Sequence, residues 1–263
     1  MPINYRLMGA ALTIVKQATC ATPSGYRTYL RLLKNPKTTI DMLQALQNGT
    51  IDIFAAGFSR EGNTYLTWLI QNIFPNLSLA HHLHNTVSIK VALKQGVPVF
   101  VPFRKPVDSI SSLMLKNMHS DKNYYRFKSV RKIHNNPSLL ADLYIREYRH
   151  YHQFLLGMKD SLTLFKSESL FEAPVEILRI IAAAAGIDGS YLSLDQCKDL
   201  TNAYFSKKRK QGLSRPLSGG IPTKEKADEK KEIEERYLKP HPFYCDCCKI
   251  AAKLDEGAWR VSD

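Results

Sequence analysis

Apolar residues keep two rhythms along this chain. Short apolar runs at residues 51–56, 77–83, 97–103 and 162–166 have the length and the β-branched or aromatic content of buried strands. Between them the period lengthens. Leu66, Leu69, Ile70 and Ile73 recur at helical spacing, as do Val107, Ile110, Met114 and Met118, and then Leu140, Tyr144, Tyr148, Tyr151, Leu155 and Met158. A last set, Leu178, Ile181, Ala182 and Ala185, ends at Gly186, a helix-stopping residue. Pro75 ends the first of these helices and Pro106 suits the first turn of the second. Strands alternating with helices predict an α/β fold, a parallel sheet flanked by helices on both faces. Pro98 and Pro102 remove two ladder donors from the third run, which places that strand at an edge or in a short pairing.

The ends of the chain are less regular. Residues 1–50 read as a helical lead-in, with short helices near 26–33 and 39–46. Residues 119–136 are basic and aromatic without a period, as in a surface loop or lid. The segment 207–263 is charged, with an exposed stretch and then a solvated helix near 224–237. No internal repeat interrupts this order, and residues 1–263 are expected to form one domain.

Charge and cysteine narrow the function classes. A formal charge of +13 over 263 residues suggests an anionic partner: nucleic acid, an acidic membrane surface or a multiply charged nucleotide. Many of the cations sit in two clusters, 207–210 and 224–231, and the second is interleaved with acids, which weakens the case for nucleic acid. The five cysteines, Cys20, Cys197, Cys245, Cys247 and Cys248, are odd in number and crowded at one end, so free thiols in a reducing compartment are expected. No apolar run approaches a membrane span, and the short apolar stretch at 8–15 is interrupted by Lys16 without a clear cleavage site. A cytoplasmic location follows as an expectation. His81, His82 and His84 have no carboxylate nearby to complete a metal site, so no metal is expected.

Candidate chemistry begins at the first strand. It runs directly into Gly57, and the following helix starts just after Gly62. A helix that follows a strand so closely aims unpaired N–H groups and the positive end of its dipole at one spot. An anion belongs there. The spacing of Gly57 and Gly62 is that of a nucleotide phosphate loop, but Asn63 and Thr64 occupy the positions of its lysine and serine or threonine. The nearest cation is Arg60, inside the loop. Loss of the lysine argues against magnesium-dependent hydrolysis of ATP or GTP.

The stretch Phe58-Ser59-Arg60-Glu61-Gly62-Asn63-Thr64-Tyr65-Leu66 resembles the 5′-phosphosulfate loop of sulfotransferases, with Arg60 for lysine, Asn63 for threonine and Tyr65 for tryptophan. Arg104 and Ser112 resemble that family's 3′-phosphate segment, in which an arginine at a strand end and a serine two helical turns later grip the ribose phosphate. His82, in Ala80-His81-His82-Leu83, resembles the histidine of the cytosolic type, and its distance to Arg104, 104 − 82 = 22 residues, suits that group. Phe165-Lys166-Ser167-Glu168-Ser169-Leu170 is similar to a segment that is mostly structural. Arg209, Lys210, Gln211 and Gly212 are similar to the stretch that completes the 3′-phosphate site, and read equally well as a basic loop.

The resemblance, which spans roughly residues 51–212, implies a sulfotransferase-like variant of the P-loop fold. It implies 3′-phosphoadenosine 5′-phosphosulfate (PAPS) as sulfuryl donor, adenosine 3′,5′-bisphosphate as product, no required metal, and a small-molecule or glycan acceptor bearing a hydroxyl. Arg60, Glu61, Gly62, Asn63, Thr64 and Tyr65 would bind the 5′ end, and Arg104, Ser112 and residues 209–212 the 3′ end. His82 would be the general base, with His81 or His84 as the alternative. Arg60 would act electrostatically, because a guanidinium keeps its proton. Two other readings stand beside this one: a nucleotide kinase or phosphohydrolase on a degenerate loop, and a basic module that binds nucleic acid or another anionic polymer.

Overall fold

The computed structural model describes residues 5–32, 37–119, 136–210 and 224–259. Three helices lead in: α1 (Tyr5–Thr19), α2 (Pro23–Leu32) and α3 (Lys37–Gln47). The strands are β1 (Ile53–Ala55), β2 (Leu79–His81), β3 (Val99–Phe103) and β4 (Thr163–Lys166). Helices α4 (Asn63–Ile73), α5 (Thr86–Lys94) and α6 (Pro106–His119) connect the first three strands and leave the third, and α7 (Pro137–Gly157) precedes the fourth. After β4 come α8 (Ser169–Glu172), α9 (Pro174–Ala184), α10 (Leu194–Lys210), α11 (Lys224–Ile233) and α12 (Tyr244–Glu256), with a π-helical turn, Glu234–Leu238, between the last two.

The four strands form one parallel sheet in the order β2-β1-β3-β4. Side chains alternate across it. Phe54, Val99, Val101, Phe103 and Leu164 pack into one core with residues of α3, α5, α6, α7 and α12. Ile53, Ala55, Phe100 and Phe165 pack into the other with residues of α4, α9 and α10. Helices therefore cover both faces, as the alternation of strands and helices predicted. The period-two pattern holds because each face meets its own apolar helix stripe.

β3 is a central strand, which corrects the expectation of an edge. Successive residues of a parallel strand turn their peptide groups to opposite neighbours. The carbonyls of Pro98 and Phe100 accept from Phe54 and Ala56 on the β1 side, whereas the Phe103 carbonyl accepts from Ser167 on the β4 side. Even-numbered residues of β3 thus face β1, and Pro98 and Pro102 are both even. Pro98 lies before the amide bonds of β3 to β1 and Pro102 after the carbonyl bond that Phe100 accepts from the Ala56 amide, so neither proline interrupts the bonds that hold β3 between its neighbours.

Five helices escaped the sequence pattern: α1, α5, α8, α10 and α12. Helix α5 has a plain start signal, since the Asn85 side chain caps it by accepting from the Ser88 amide at 2.8 Å. The basic run at 207–210 is the end of α10 rather than a loop. At the far edge, the Trp259 amide donates to the Leu164 carbonyl at 2.9 Å, and Lys166 pairs with Asp255 at 2.7 Å, so the C-terminal residues cover β4.

The strand order reverses between β1 and β3. Their carboxyl ends are neighbours, and a crevice for ligands opens at such a switch point. Val101→Pro would remove an amide on the β4 side of this strand. It is expected to cost about 3 kcal/mol or more by urea denaturation. An unchanged midpoint would refute the assigned pattern of odd and even bonds.

Candidate active site

The segment between β1 and α4 is a tight loop held from behind. Gly57 is required by space: a Cβ there would lie 2.2 Å from Asn63 Oδ1, at a backbone φ of 156°. Gly62 adopts φ 89° and caps α4 without any side-chain hydrogen bond to the first turn. Among the described residues the amides of Gly62, Asn63 and Thr64 have no protein acceptor. Free amides at a helix start, with the dipole of α4 behind them, are the features that an anion site requires.

Each loop side chain has a distinct place. Arg60 Nε donates to Ser112 Oγ at 3.0 Å. The Glu61 side chain turns inward and is fully buried, accepting from the Phe58 amide at 3.2 Å and the Ser109 hydroxyl at 3.0 Å. The Asn63 amide donates to the Phe58 carbonyl at 3.0 Å, bracing the loop, while its Oδ1 is buried without a partner. Thr64 is exposed. Tyr65 is buried against Phe171, with ring centroids 4.5 Å apart, and against Tyr204 of α10. Ser167, just after β4, sits 2.7 Å from the Glu61 carbonyl and 3.1 Å from that of Phe103, tying the loop to the end of β3.

Arg104 leaves the end of β3 with its main-chain carbonyl accepting from Tyr148 Oη at 2.6 Å. Its Nε donates to Glu168 at 3.2 Å, and a second nitrogen is 4.0 Å from Asp108. Asp108, Ser112 and Lys116 follow one another at four-residue intervals on one stripe of α6. Asp108 meets Arg104 and Lys230, and Ser112 meets Arg60. Arg60 is lowered to about 10 by loss of hydration and then by the neighbouring Arg104, and remains a cation at neutral pH. Lys116 is lowered by partial burial and by Arg60. Among the described residues neither Arg60 nor Lys116 has a carboxylate partner, which leaves positive charge gathered at the mouth of the cradle.

The histidines depart from the strand geometry that the sequence suggested. Strand alternation would turn His81 away from His82 and His84. Only His81 lies in β2, and His82 adopts φ 58°, which breaks the alternation and brings the His81 and His82 rings to 4.6 Å. His84 Nδ1 donates to the Gly57 carbonyl at 2.7 Å and anchors the start of the loop. Burial, and then His82, push His81 down to about 4. His82 is exposed, and its pKa is lowered by partial loss of hydration and then by Lys116. Arg60 and His82 are the two non-glycine residues with positive φ among those described. Such backbone strain concentrates at functional sites.

Helix α10 includes Arg209 and Lys210, whereas Gln211 and Gly212 lie outside the described residues, as do residues 120–135 of the expected lid. All five cysteines are free. Among the described residues no group of three or more ligating side chains is placed to hold a metal ion, and no helix is long and apolar enough to cross a membrane. The sequence pattern did not single out Ser109, His152 or Lys116. Ser109 and Lys116 are ordinary helix positions until α6 is placed against the loop, and His152 sits within an apolar stripe that core packing already explains.

No protein-family model matches the chain, and no curated protein does. Among solved structures it is similar to mouse sulfotransferase SULT7A1 complexed with PAP, at 13% identity and a TM-score of 0.47, over 80% of this chain and 93% of that one. A likeness of that degree identifies no residue role.

Gly57→Ala is expected to lower stability by about 2 kcal/mol, since Asn63 fills the space the new methyl needs. Urea denaturation tests this, and an unchanged midpoint would mean that Asn63 does not occupy that position.

Proposed function

We propose that the chain is a PAPS-dependent sulfotransferase that moves the sulfuryl group to a hydroxyl of a small-molecule or glycan acceptor. One observation carries the reading. Arg60 and Ser112, 52 residues apart and taken from the two stretches assigned to opposite ends of one nucleotide, share a hydrogen bond at the switch point of the sheet. Free amides at the start of α4 and a guanidinium without a carboxylate partner suit a phosphosulfate, and Arg104, oriented by Glu168, suits the 3′-phosphate.

The chemistry asked of the protein is modest. The sulfur–oxygen bond to the 5′-phosphate breaks as a bond from sulfur to the acceptor oxygen forms. His82 takes the acceptor proton, and its lowered pKa keeps the ring neutral and able to accept at neutral pH. Arg60 and the amides of Gly62, Asn63 and Thr64 meet the charge that builds on the leaving phosphate. Arg60 supplies charge and no proton, so the bisphosphate leaves as the anion.

Titration calorimetry without magnesium is expected to show micromolar binding of adenosine 3′,5′-bisphosphate, lost on Arg104→Ala, with ATP as control. Binding of neither nucleotide would overturn the proposal. With an acceptor in hand, His82→Ala is expected to reduce kcat by about 100-fold or more. The wild-type rate should fall on the acid side as His82 gains its proton, at a pH below the ordinary histidine value of 6.5. A folded His82→Ala protein with full activity would remove His82 from the reaction.

A further inference from the structure

Helix α11 brings one side chain from the charged C-terminal segment to the start of α6. The helix is polar on nearly every face, and it is held down by Ile233 and by Leu238 of the π-helical turn that follows, both buried in the core beside α6 and α7. Tyr244 Oη donates to Glu234 at 2.9 Å and pins the junction. Lys230 stands one turn before Ile233, so the burial of Ile233 turns Lys230 toward the same neighbours. Its ammonium donates to Asp108 Oδ1 at 2.8 Å, with the two side chains 24% and 30% exposed. The Arg104 guanidinium lies 4.0 Å from the same oxygen, and its Nε donates to Glu168 at 3.2 Å.

Asp108 is well placed for the helix and badly placed for an anionic ligand. In the first turn of α6 its charge suits the positive end of the helix dipole. It also stands four residues after Arg104, where it can close an ion pair with the guanidinium and oppose a phosphate arriving there. We infer that Lys230 is a positioning residue: it engages the Asp108 carboxylate, so that Arg104 stays open to the 3′-phosphate and the acid does not repel it. The distances support this division, since the lysine and not the arginine is the closer cation at Asp108. Two opposite charges in contact present little net charge to a third group. Glu168 meanwhile holds Arg104 through Nε and leaves its terminal nitrogens to meet an anion. The part that Lys230 plays in ligand binding rests on the sulfotransferase reading, whereas its hold on Asp108 does not.

Lys230→Met keeps the stem of the side chain and removes its charge. In titration calorimetry this change is expected to weaken adenosine 3′,5′-bisphosphate by about fivefold. Adenosine 5′-phosphate, which lacks the 3′ group, should weaken by less than about twofold, and its retained binding shows that the variant is folded. Adding Asp108→Asn should return bisphosphate affinity to within about twofold of wild type, because the acid that Lys230 held is then neutral. Unchanged affinity for the bisphosphate in Lys230→Met would overturn the inference, as would an equal loss for both nucleotides. A selective loss that Asp108→Asn fails to restore would also sink it, since Lys230 would then act on the phosphate and not through Asp108. A second readout needs no ligand. With nitrogen-15 in arginine, the Arg104 Nε–H signal, assigned by its loss in Arg104→Lys, should move in Lys230→Met and return in the double variant. A signal that stays in place would refute the hold on Asp108. Wild-type protein that binds no bisphosphate, while this signal moves and returns as expected, would overturn the sulfotransferase reading and leave the hold on Asp108 standing.

Discussion

Helix α6, helix α7 and the segment after β4 meet at one residue of the loop. The Glu61 carboxylate takes hydrogen bonds from Ser109 and from the loop's own Phe58 amide, lies 2.9 Å from His152, and its carbonyl is held by Ser167. A buried carboxylate is costly unless it is fully paired, so these partners must assemble for the loop to exist in this form. Because they come from distant parts of the chain, the site's shape is tied to completion of the fold. The loop is an inward-facing polar anchor as much as an outward-facing cradle.

Charge is arranged in two layers around that anchor. Inside, among the described residues, Glu61 lies 2.9 Å from His152, and Asp142 pairs with Arg146 and His241. For Asp142, burial would raise the carboxyl, but the hydrogen bonds from His241 and Arg146 outweigh it and hold the group below its ordinary value. At the crevice the balance is reversed. Arg60 and Lys116 face each other's charge without a carboxylate between them, and Arg104 adds to it even though Glu168 and Asp108 stand close by. Cations held together in this way repel one another, and an anion placed among them would lower that energy.

Arg60 and His82 both adopt left-handed backbone. His82 follows directly on β2, whereas Arg60 lies in the turn between β1, which ends at Ala55, and α4. A glycine would relax either position. A side chain is retained instead, at a cost on the order of 1–3 kcal/mol that the surrounding packing has to meet.

The sequence alone determined the order of strands and helices, because apolar period is a local property that each segment shows by itself. It also determined the strand-loop-helix at the front of the sheet, since Gly57, Gly62 and an adjoining helix start imply unpaired amides wherever they fold. It placed Arg60 and Ser112 in two separate stretches, and their hydrogen bond became visible only in the fold. Tertiary structure decided what depends on neighbours from elsewhere in the chain: β3 at the centre of the sheet, His82 out of register with the strand, and Glu61 turned inward onto His152. Those outcomes rest on which peptide groups face a neighbouring strand and on which buried charges find partners. Neither can be read from a residue and its immediate surroundings, because the partner is fixed only when the layers close.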